Sequence, residues 1–359
     1  MKRKIYSKLF EWKSVSNGRS AVMIDGARRV GKSWIAEEFA KNEYEGYLLI
    51  DFAKASKAVK GFFMDYLEDL DTFFMYLLGA YHVELKPRKS VIIFDEVQRF
   101  PRAREAIKYL VADGRYDYIE TGSLISIKKN VNNIVIPSEE HHLEMFPMDF
   151  EEFLWATGNS GMMPIIERAY RNSCPVGDGM HRRILDVLRQ YLVVGGMPAA
   201  VQRYLDTHDI SAVVKVQEQI LVEYKKDITK YDKENSLRIR EVFERIAPEL
   251  NKKNKRFYVN SVKPGERTER LEDEFVWLKE AGVAIPSYVV DEPVVPLVLS
   301  KRTSLFKLFL NDVGLLAAFY MDGIQLKILK HETAINFGSI YENAAAEELS
   351  AQVVKGYVN

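Results

Sequence analysis

The chain has 359 residues, of which 47% are hydrophobic and 28% charged, and its 51 basic residues balance its 51 acidic ones. This length favours about two or three domains, and the composition excludes an intrinsically disordered chain. Because the net charge is zero, binding of nucleic acid or of a membrane would need a local patch. Cys174 is the single cysteine, and no apolar run is long enough for a signal peptide or a spanning helix, so we expect a cytoplasmic protein.

The first 150 residues alternate short apolar runs with helical patterns, which predicts a parallel α/β sheet. Four runs are typical of buried strands and a fifth is weaker; they are residues 20–24, 47–52, 91–94 and 118–121, and residues 143–146. Helical periodicity covers residues 32–41, 61–81 and 102–112. Polar or glycine-rich residues follow each strand, where the carboxyl edge of the sheet would lie.

The rest of the chain is mainly helical in its pattern. A short helix begins at Asp149, and the prolines and glycines of residues 157–179 predict an irregular connection. Residues 180–229 are helical around an interruption at Gly195-Gly196-Met197-Pro198, which favours a tight turn between helices. Two further helices and two strands follow, in the order of a winged-helix module; they are residues 237–250, 270–281, 283–290 and 294–299, with a hairpin turn at 291–293.

Residues 26–33 match the phosphate-binding pattern G-x-x-x-x-G-K-[ST] at every fixed position. Glycines let the backbone curl until successive N–H groups point at phosphate oxygens, and the following helix presents its positive end to the same anion. A chance match in a turn is the alternative, but the flanking strand and helix supply the context that the mechanism needs. The predicted nucleotide contacts are Gly26, Ala27, Arg28, Arg29, Val30, Gly31, Lys32, Ser33, Trp34 and Thr121.

Within this loop, Lys32 is predicted to reach the β- and γ-phosphates, and the Ser33 hydroxyl to coordinate Mg²⁺. Asp95 and Glu96 end the apolar run at 91–94, which predicts that Asp95 completes the Mg²⁺ site while Glu96 polarises the attacking water. An acidic turn after a buried strand is the alternative. Ser123 follows the next strand and is predicted to place the water, although a helix cap would also explain a hydroxyl there.

These motifs together resemble the predicted AAA+-superfamily ATPases of bacteria and archaea that carry a C-terminal domain of unknown function 4143. The likeness continues in four later segments; they are residues 146–153 (FPMDFEEF), 191–198 (YLVVGGMP), 307–316 (KLFLNDVGLL) and 338–349 (GSIYENAAAEEL). The resemblance implies a P-loop NTPase core of the additional-strand, catalytic-glutamate type that uses ATP and Mg²⁺. It implies the roles given above for Lys32, Ser33, Asp95 and Glu96, with Ser123 as the polar sensor.

Two departures from the family pattern bear on function. No arginine occurs between Arg115 and Arg168, so Arg28 is the nearer candidate for countering phosphate charge. The family usually continues into a restriction-nuclease-like fold, which we expect to be incomplete here. The resulting division is an ATPase domain at residues 1–158, a helical lid or linker at 159–235, a winged-helix-like module at 236–300, and the start of an α/β domain at 301–359.

Two weaker signals concern partners and metals. Residues 252–270 carry seven basic and two acidic side chains, which predicts DNA phosphate contacts or, equally, a solvated basic surface. The neighbouring pairs Glu139-Glu140 and His141-His142 are read as a surface cluster rather than a metal site, because adjacent strand residues point to opposite faces.

Three functions are compatible with these residues. The first is an ATPase whose nucleotide cycle acts as a conformational switch on the C-terminal half, with DNA, a protein or further copies of the chain as partner. The second is a P-loop kinase acting on a small molecule, but no arginine-rich lid occurs between residues 130 and 146. The third is a DNA- or protein-binding module with little turnover. The intact set of Lys32, Ser33, Asp95 and Glu96 argues against this third function.

Overall fold

The computed structural model describes residues 1–123, 139–231, 236–257, 272–294, 296–320, 324–330 and 337–352. The chain forms two compact units, an N-terminal unit of Arg3–Met145 and a C-terminal unit of Met1–Lys2 with Phe146–Asn359. The first unit therefore ends before residue 158, where the sequence pattern changes. The four-part division drawn from the sequence is finer than these two units and stays a prediction.

The N-terminal unit is an α/β sheet domain, as predicted. Its helices are α1 (Ile5–Ser16), α2 (Lys32–Glu43), α3 (Lys57–Asp65), α4 (Leu70–Tyr81) and α5 (Pro101–Asp113). Its strands are β1 (Ala21–Gly26), β2 (Gly46–Asp51), β3 (Ser90–Asp95), β4 (Asp117–Thr121) and β5 (Glu140–Met145). They form one parallel sheet in the order β2-β3-β4-β1-β5. Strand β4 thus lies between β1 and β3, which is the additional-strand arrangement expected for this class of NTPase core.

Strands β1, β3 and β4 lie at the centre of the sheet, and each is buried along its whole length. Parallel strands covered by helices on both faces read as continuous apolar runs, and this is why the sequence pattern located them. One face packs against α3, α4 and α5 through an aromatic core in which Phe52, Phe63 and Phe94 meet edge to face. The core fixes the strand ends that carry the site residues.

Two features of this unit differ from the sequence predictions. The predicted helix at 61–81 is two helices, because Asp69 accepts a hydrogen bond from Thr72 N and starts α4 anew. Helix α1 was not predicted, since its apolar residues Ile5, Leu9 and Trp12 are few and follow a basic start.

The C-terminal unit is mainly helical. Its helices are α6 (Phe150–Ala156), α7 (Met162–Arg171), α8 (Asp178–Val194), α9 (Pro198–Thr207), α10 (Ile210–Tyr231), α11 (Ser236–Leu250), α12 (Glu272–Glu280), α13 (Val313–Phe319), α14 (Ile324–Leu329) and α15 (Gly338–Ala351). Strands β6 (Ala284–Val290) and β7 (Lys301–Leu310) form an antiparallel pair. Among the helices that the structure describes in either unit, none has the length and apolar character to cross a bilayer.

Three predictions for this unit need correction or stay open. Residues 157–179 contain helix α7, in which Pro164 lies in the first turn, where a missing N–H is tolerated. The predicted strand at 294–299 is wrong, because Leu297–Ser300 form a 3₁₀ helix and β7 begins at Lys301. Although α11, α12, β6 and β7 occur in the predicted order, a winged-helix module is not confirmed.

The four late sequence motifs converge on one buried polar cluster in the C-terminal unit. The Asp312 carboxylate accepts hydrogen bonds from Gly196 N at 2.5 Å and Leu315 N at 2.8 Å. Glu347 accepts one from Val313 N at 2.9 Å, and Glu348 accepts one from Phe150 N at 2.5 Å. Carboxylates of one motif therefore accept hydrogen bonds from backbone N–H groups of another, so the motifs have a structural role.

Burial gives this cluster a pH dependence. It raises the pKa of Asp312 to about 6, although backbone hydrogen bonds from Leu315 and Gly196 oppose the rise. It also raises the pKa of Glu347 well above its usual range, with the Asp312 charge adding to the effect. Because the folded-state pKa of Asp312 lies above the unfolded value, its contribution to stability is present at low pH and is lost as pH rises through about 6.

We expect Asp312→Asn to lessen the fall in stability between pH 5 and pH 7 by about 1 kcal/mol, because the carboxyl that ionises in the core is gone. Denaturant titration of wild type and variant at both pH values measures this difference. Parallel pH dependences of the two proteins would contradict the assignment.

Candidate nucleotide site

The phosphate loop connects β1 to α2 and has a curled backbone. Arg29 has φ 71° and Gly31 has φ 99°, and Gly31 caps α2, whose first residue is Lys32. Gly26 has φ 138°, and a Cβ added there would overlap the carbonyl oxygen of Met145 on β5. Successive amides in such a turn at a helix N-terminus form a concave, positively polarised surface suited to an anion.

The Lys32 ammonium is buried beneath this loop. It donates hydrogen bonds to the carbonyl oxygens of Gly26 at 3.0 Å and Ala27 at 2.7 Å. Burial lowers the pKa of Lys32 to about 8, and the nearby carboxylates of Glu96, Asp25 and Asp95 limit the fall. The side chain therefore remains a cation at neutral pH, held within the loop by the loop's own carbonyl groups.

The ends of β3 and β4 and the start of α2 bring three oxygen-bearing side chains together. Ser33 Oγ donates to Asp95 Oδ1 at 2.6 Å, and the Thr121 hydroxyl donates to the same carboxylate oxygen. A hydroxyl and a carboxylate oxygen in contact are hard oxygen donors, which fit the ligand preference of Mg²⁺. The residues predicted to hold the metal, Ser33 and Asp95, are thus adjacent in the fold.

Glu96 lies just beyond β3 with φ 54°, in the left-handed region. Its backbone N–H donates to Thr121 Oγ1 at 3.3 Å, and its carboxylate accepts a hydrogen bond from Gln98 Nε2 at 2.8 Å. A non-glycine residue in this conformation is uncommon. Thr121 therefore links both acidic residues, whereas Ser123, the predicted sensor, lies half-buried two residues further along the chain.

The remaining predicted contacts differ in exposure. Ala27 and Val30 are buried, Arg28 and Arg29 are exposed, and Trp34 on the first turn of α2 has 46% exposure. The exposed arginines lie on the loop itself, and their contact with a bound phosphate stays a prediction. The predicted nucleotide contact of Trp34 stays a prediction.

Sequence reasoning missed two residues that support the site. Arg3 is buried and donates to the Val30 carbonyl oxygen at 2.9 Å, which fastens the phosphate loop to the chain before α1. Gln98 is 7% exposed and holds the Glu96 carboxylate. Nothing in the sequence points to Arg3. Gln98 could have been predicted, because it lies only two residues after Glu96 in the chain.

Comparisons with known proteins agree with this geometry. Residues 18–154 match the family described as an AAA domain. Together with the sheet order, this match supports an AAA-type P-loop domain. Residues 185–327 match a domain of unknown function (DUF8612). The matching family is this one and not domain of unknown function 4143, and a nuclease-like module is not confirmed.

Several solved structures are similar to this chain. A Walker-type ATPase of Pyrococcus abyssi has 15% identity and a TM-score of 0.52, with 89% of this chain and 96% of that chain covered. The Holliday junction branch migration motor RuvB of Thermotoga maritima has 13% identity, a TM-score of 0.35, and 79% and 89% coverage. Cdc6p of Pyrobaculum aerophilum has 11% identity, a TM-score of 0.32, and 92% and 94% coverage. The first similarity shows a shared fold, and the other two support no conclusion. No curated protein sequence matches the chain.

Proposed function

We propose that the protein binds ATP with Mg²⁺ and hydrolyses it at the loop of residues 26–33. The observation that carries the proposal is the 2.6 Å contact between Ser33 Oγ and Asp95 Oδ1, which joins the phosphate loop to the acidic end of β3. Oxygen ligands beside a loop of amides and a buried lysine are the parts that phosphoryl transfer to water requires.

Each side chain has a distinct part in this chemistry. Lys32 and the loop amides bind the β- and γ-phosphates, while Ser33 and Asp95 would hold the metal. Mg²⁺, when bound, neutralises phosphate charge that develops during the reaction. Glu96 orients the attacking water and accepts its proton, and Thr121 fixes the positions of Asp95 and Glu96. Ser123 remains a proposed second polar contact to the water.

We further propose that this ATPase acts as a switch on its C-terminal region, with a protein, further copies of the chain or DNA as partner. In the described part of the basic segment, Lys252 pairs with Glu249 at 2.6 Å and Lys255 with Glu342 at 2.7 Å. Lys253 and Arg256 are exposed, so they are the residues on which phosphate contacts would depend. Residues 258–270 lie outside the described part of the chain.

The test is the Kd of ATP and the release of phosphate from ATP for wild type and Lys32→Ala, with Mg²⁺ or with a chelator in its place. We expect Lys32→Ala to lower ATP affinity by at least about tenfold, because a charged hydrogen-bond donor to the phosphates is lost. We expect the chelator to stop hydrolysis by the wild type. Phosphate release unchanged by both treatments would contradict the proposal.

The same assay separates the partners and the alternative reactions. Duplex DNA that stimulates wild type, and loses this effect in Lys253→Ala/Arg256→Ala, would support DNA as the partner. Transfer of the γ-phosphate to a small molecule instead of water would establish a kinase. ATP binding without turnover would favour a nucleotide-regulated binding module.

A further inference from the structure

A network of charged side chains crosses one face of the sheet beside the phosphate loop. Its members come from four elements, which are β1, β4, β5 and α5; they are Asp25, Glu120, Glu140, His142 and Arg104. In the strand register, Glu120 of β4 and His142 of β5 both pair with Met23 of β1, so their side chains lie on the same face. Glu140 and His142 are therefore part of one ion network. The prediction of a surface cluster is wrong for the Glu140 side chain, which is 1% exposed, whereas both histidines are exposed.

The network is joined by close contacts. Arg104 makes two hydrogen bonds to Glu140, of 2.9 Å and 2.6 Å. Burial works to raise the pKa of Glu140, but hydrogen bonds from Arg104 and His142 outweigh it and lower the pKa to about 2. Glu120 is fully buried against Glu140, and both burial and that contact raise its pKa well above the usual range. These shifts favour the protonated form of Glu120 beside an ionised Glu140.

His142 lies between two carboxylates, a position that favours the charged form of its imidazole. Its Nδ1 lies 3.1 Å from Asp25 Oδ2 and its Nε2 lies 3.3 Å from Glu140 Oε2. A neutral imidazole has one N–H, so it would turn a lone pair toward one of these carboxylates. Hydrogen bonds that the imidazolium donates to Asp25 and Glu140 accordingly raise the pKa of His142 to about 9.

Asp25 connects this network to the nucleotide site. It is 4% exposed, comes directly before Gly26, and its charge acts on the Lys32 ammonium. A buried carboxylate at the start of a loop that receives phosphates would repel them, unless another charge neutralises it. His142 is the cation in contact with Asp25 within the network.

The charges of the network sum to zero when His142 is protonated. Arg104 and His142 are positive, Asp25 and Glu140 are negative, and Glu120 is neutral. Arg104 is committed to Glu140 by both hydrogen bonds. Loss of the His142 charge would therefore leave one negative charge uncompensated within the network, and Asp25 beside the loop would lose the cation that it contacts.

We propose that His142 is a positioning residue of the nucleotide site, whose imidazolium neutralises Asp25 and so permits phosphates to bind at the loop that begins with Gly26. The inference rests on the proposed nucleotide binding and extends it to an edge strand that contributes no residue to the phosphate motif. The binding of nucleoside polyphosphates would then depend on a charge that lies outside the phosphate motif.

The test is the Kd of ATP with Mg²⁺, measured by calorimetry at pH 7 on the full chain. We expect His142→Gln to weaken binding by roughly fivefold, because a screened carboxylate charge then opposes the phosphates. His142→Lys, which keeps the charge, should retain most of the affinity. His141→Gln is the matched control, since this neighbour lies on the opposite face of β5 and is exposed, and it should bind as wild type does.

Removal of Asp25's charge gives the decisive comparison. In an Asp25→Asn background, His142→Gln should change the Kd by less than about twofold, because no carboxylate remains to be neutralised. An equal loss in both backgrounds, or no loss in either, would overturn the inference. Melting temperatures identify any variant that fails to fold, and histidine NMR titration then supplies a second measure: the pKa of His142 should fall in Asp25→Asn.

The outcomes separate this inference from the function on which it rests. A wild-type protein that binds no ATP would overturn both. Wild-type binding that is lost in Lys32→Ala but unaffected by His142→Gln would overturn the role of His142 alone.

Discussion

Glu96→Gln should bind ATP with near wild-type affinity and hydrolyse it at least about hundredfold more slowly, because an amide cannot take the proton of the attacking water. The substitution preserves side-chain shape, and the proposed phosphate contacts lie on the loop of residues 26–33 rather than on Glu96. Single-turnover hydrolysis and a separate measurement of ATP affinity distinguish the two effects. The expected result is a protein that retains bound ATP.

A matched control is Glu68→Gln, an exposed acid of the same unit that lies outside the site. It should leave both affinity and hydrolysis unchanged. Turnover by Glu96→Gln above about a tenth of the wild-type rate would assign the base to another group. The proposed role of Glu96 would then be wrong even if ATP binding stands.

Gly196→Ala should destabilise the C-terminal unit by at least about 3 kcal/mol, because overpacking against backbone cannot be relieved by rotating a side chain. An added Cβ at Gly196 would overlap the backbone of Met148. The two segments are held together by the hydrogen bond from Met148 N to Gly196 O at 2.7 Å. Separating them would also strain the contact from Gly196 N to Asp312.

Gly179→Ala is the control for this prediction. Gly179 lies in α8, and a Cβ added there would meet no other atom within 4 Å. Alanine should stabilise this helix by up to about 1 kcal/mol, since it loses less backbone entropy than glycine. Denaturant unfolding of both variants measures the difference. Similar stabilities would contradict the packing role of Gly196.

The sequence located the sheet and the phosphate loop well because both depend on local patterns. Buried parallel strands leave apolar runs, and β1, β2, β3 and β4 fall within a few residues of their predicted bounds. The phosphate loop could be recognised because its motif requires particular residue types at set spacings. The boundary of α3 and α4 was missed because the cap at Asp69 interrupts a pattern that remains apolar on both sides.

The support of the site could not be predicted in the same way. The contact of Arg3 with Val30 and that of His142 with Asp25 join residues far apart in the chain. The second contact depends on β5 being the neighbour of β1, and the sequence pattern alone does not give the strand order. His142 also lies on an edge strand whose polar residues are mostly exposed, so its contacts with Asp25 and Glu140 were not evident.

The polar cluster of the C-terminal unit has a consequence for synthesis on the ribosome. Its hydrogen bonds join Phe150 to Glu348 and Gly196 to Asp312, so one cluster spans nearly the full length of that unit. We expect the nascent N-terminal unit to fold as soon as β5 has emerged, whereas α6 and α8 must wait for α15. During that interval the apolar faces of these helices would be exposed, which makes the emerging second half the natural client of a chaperone.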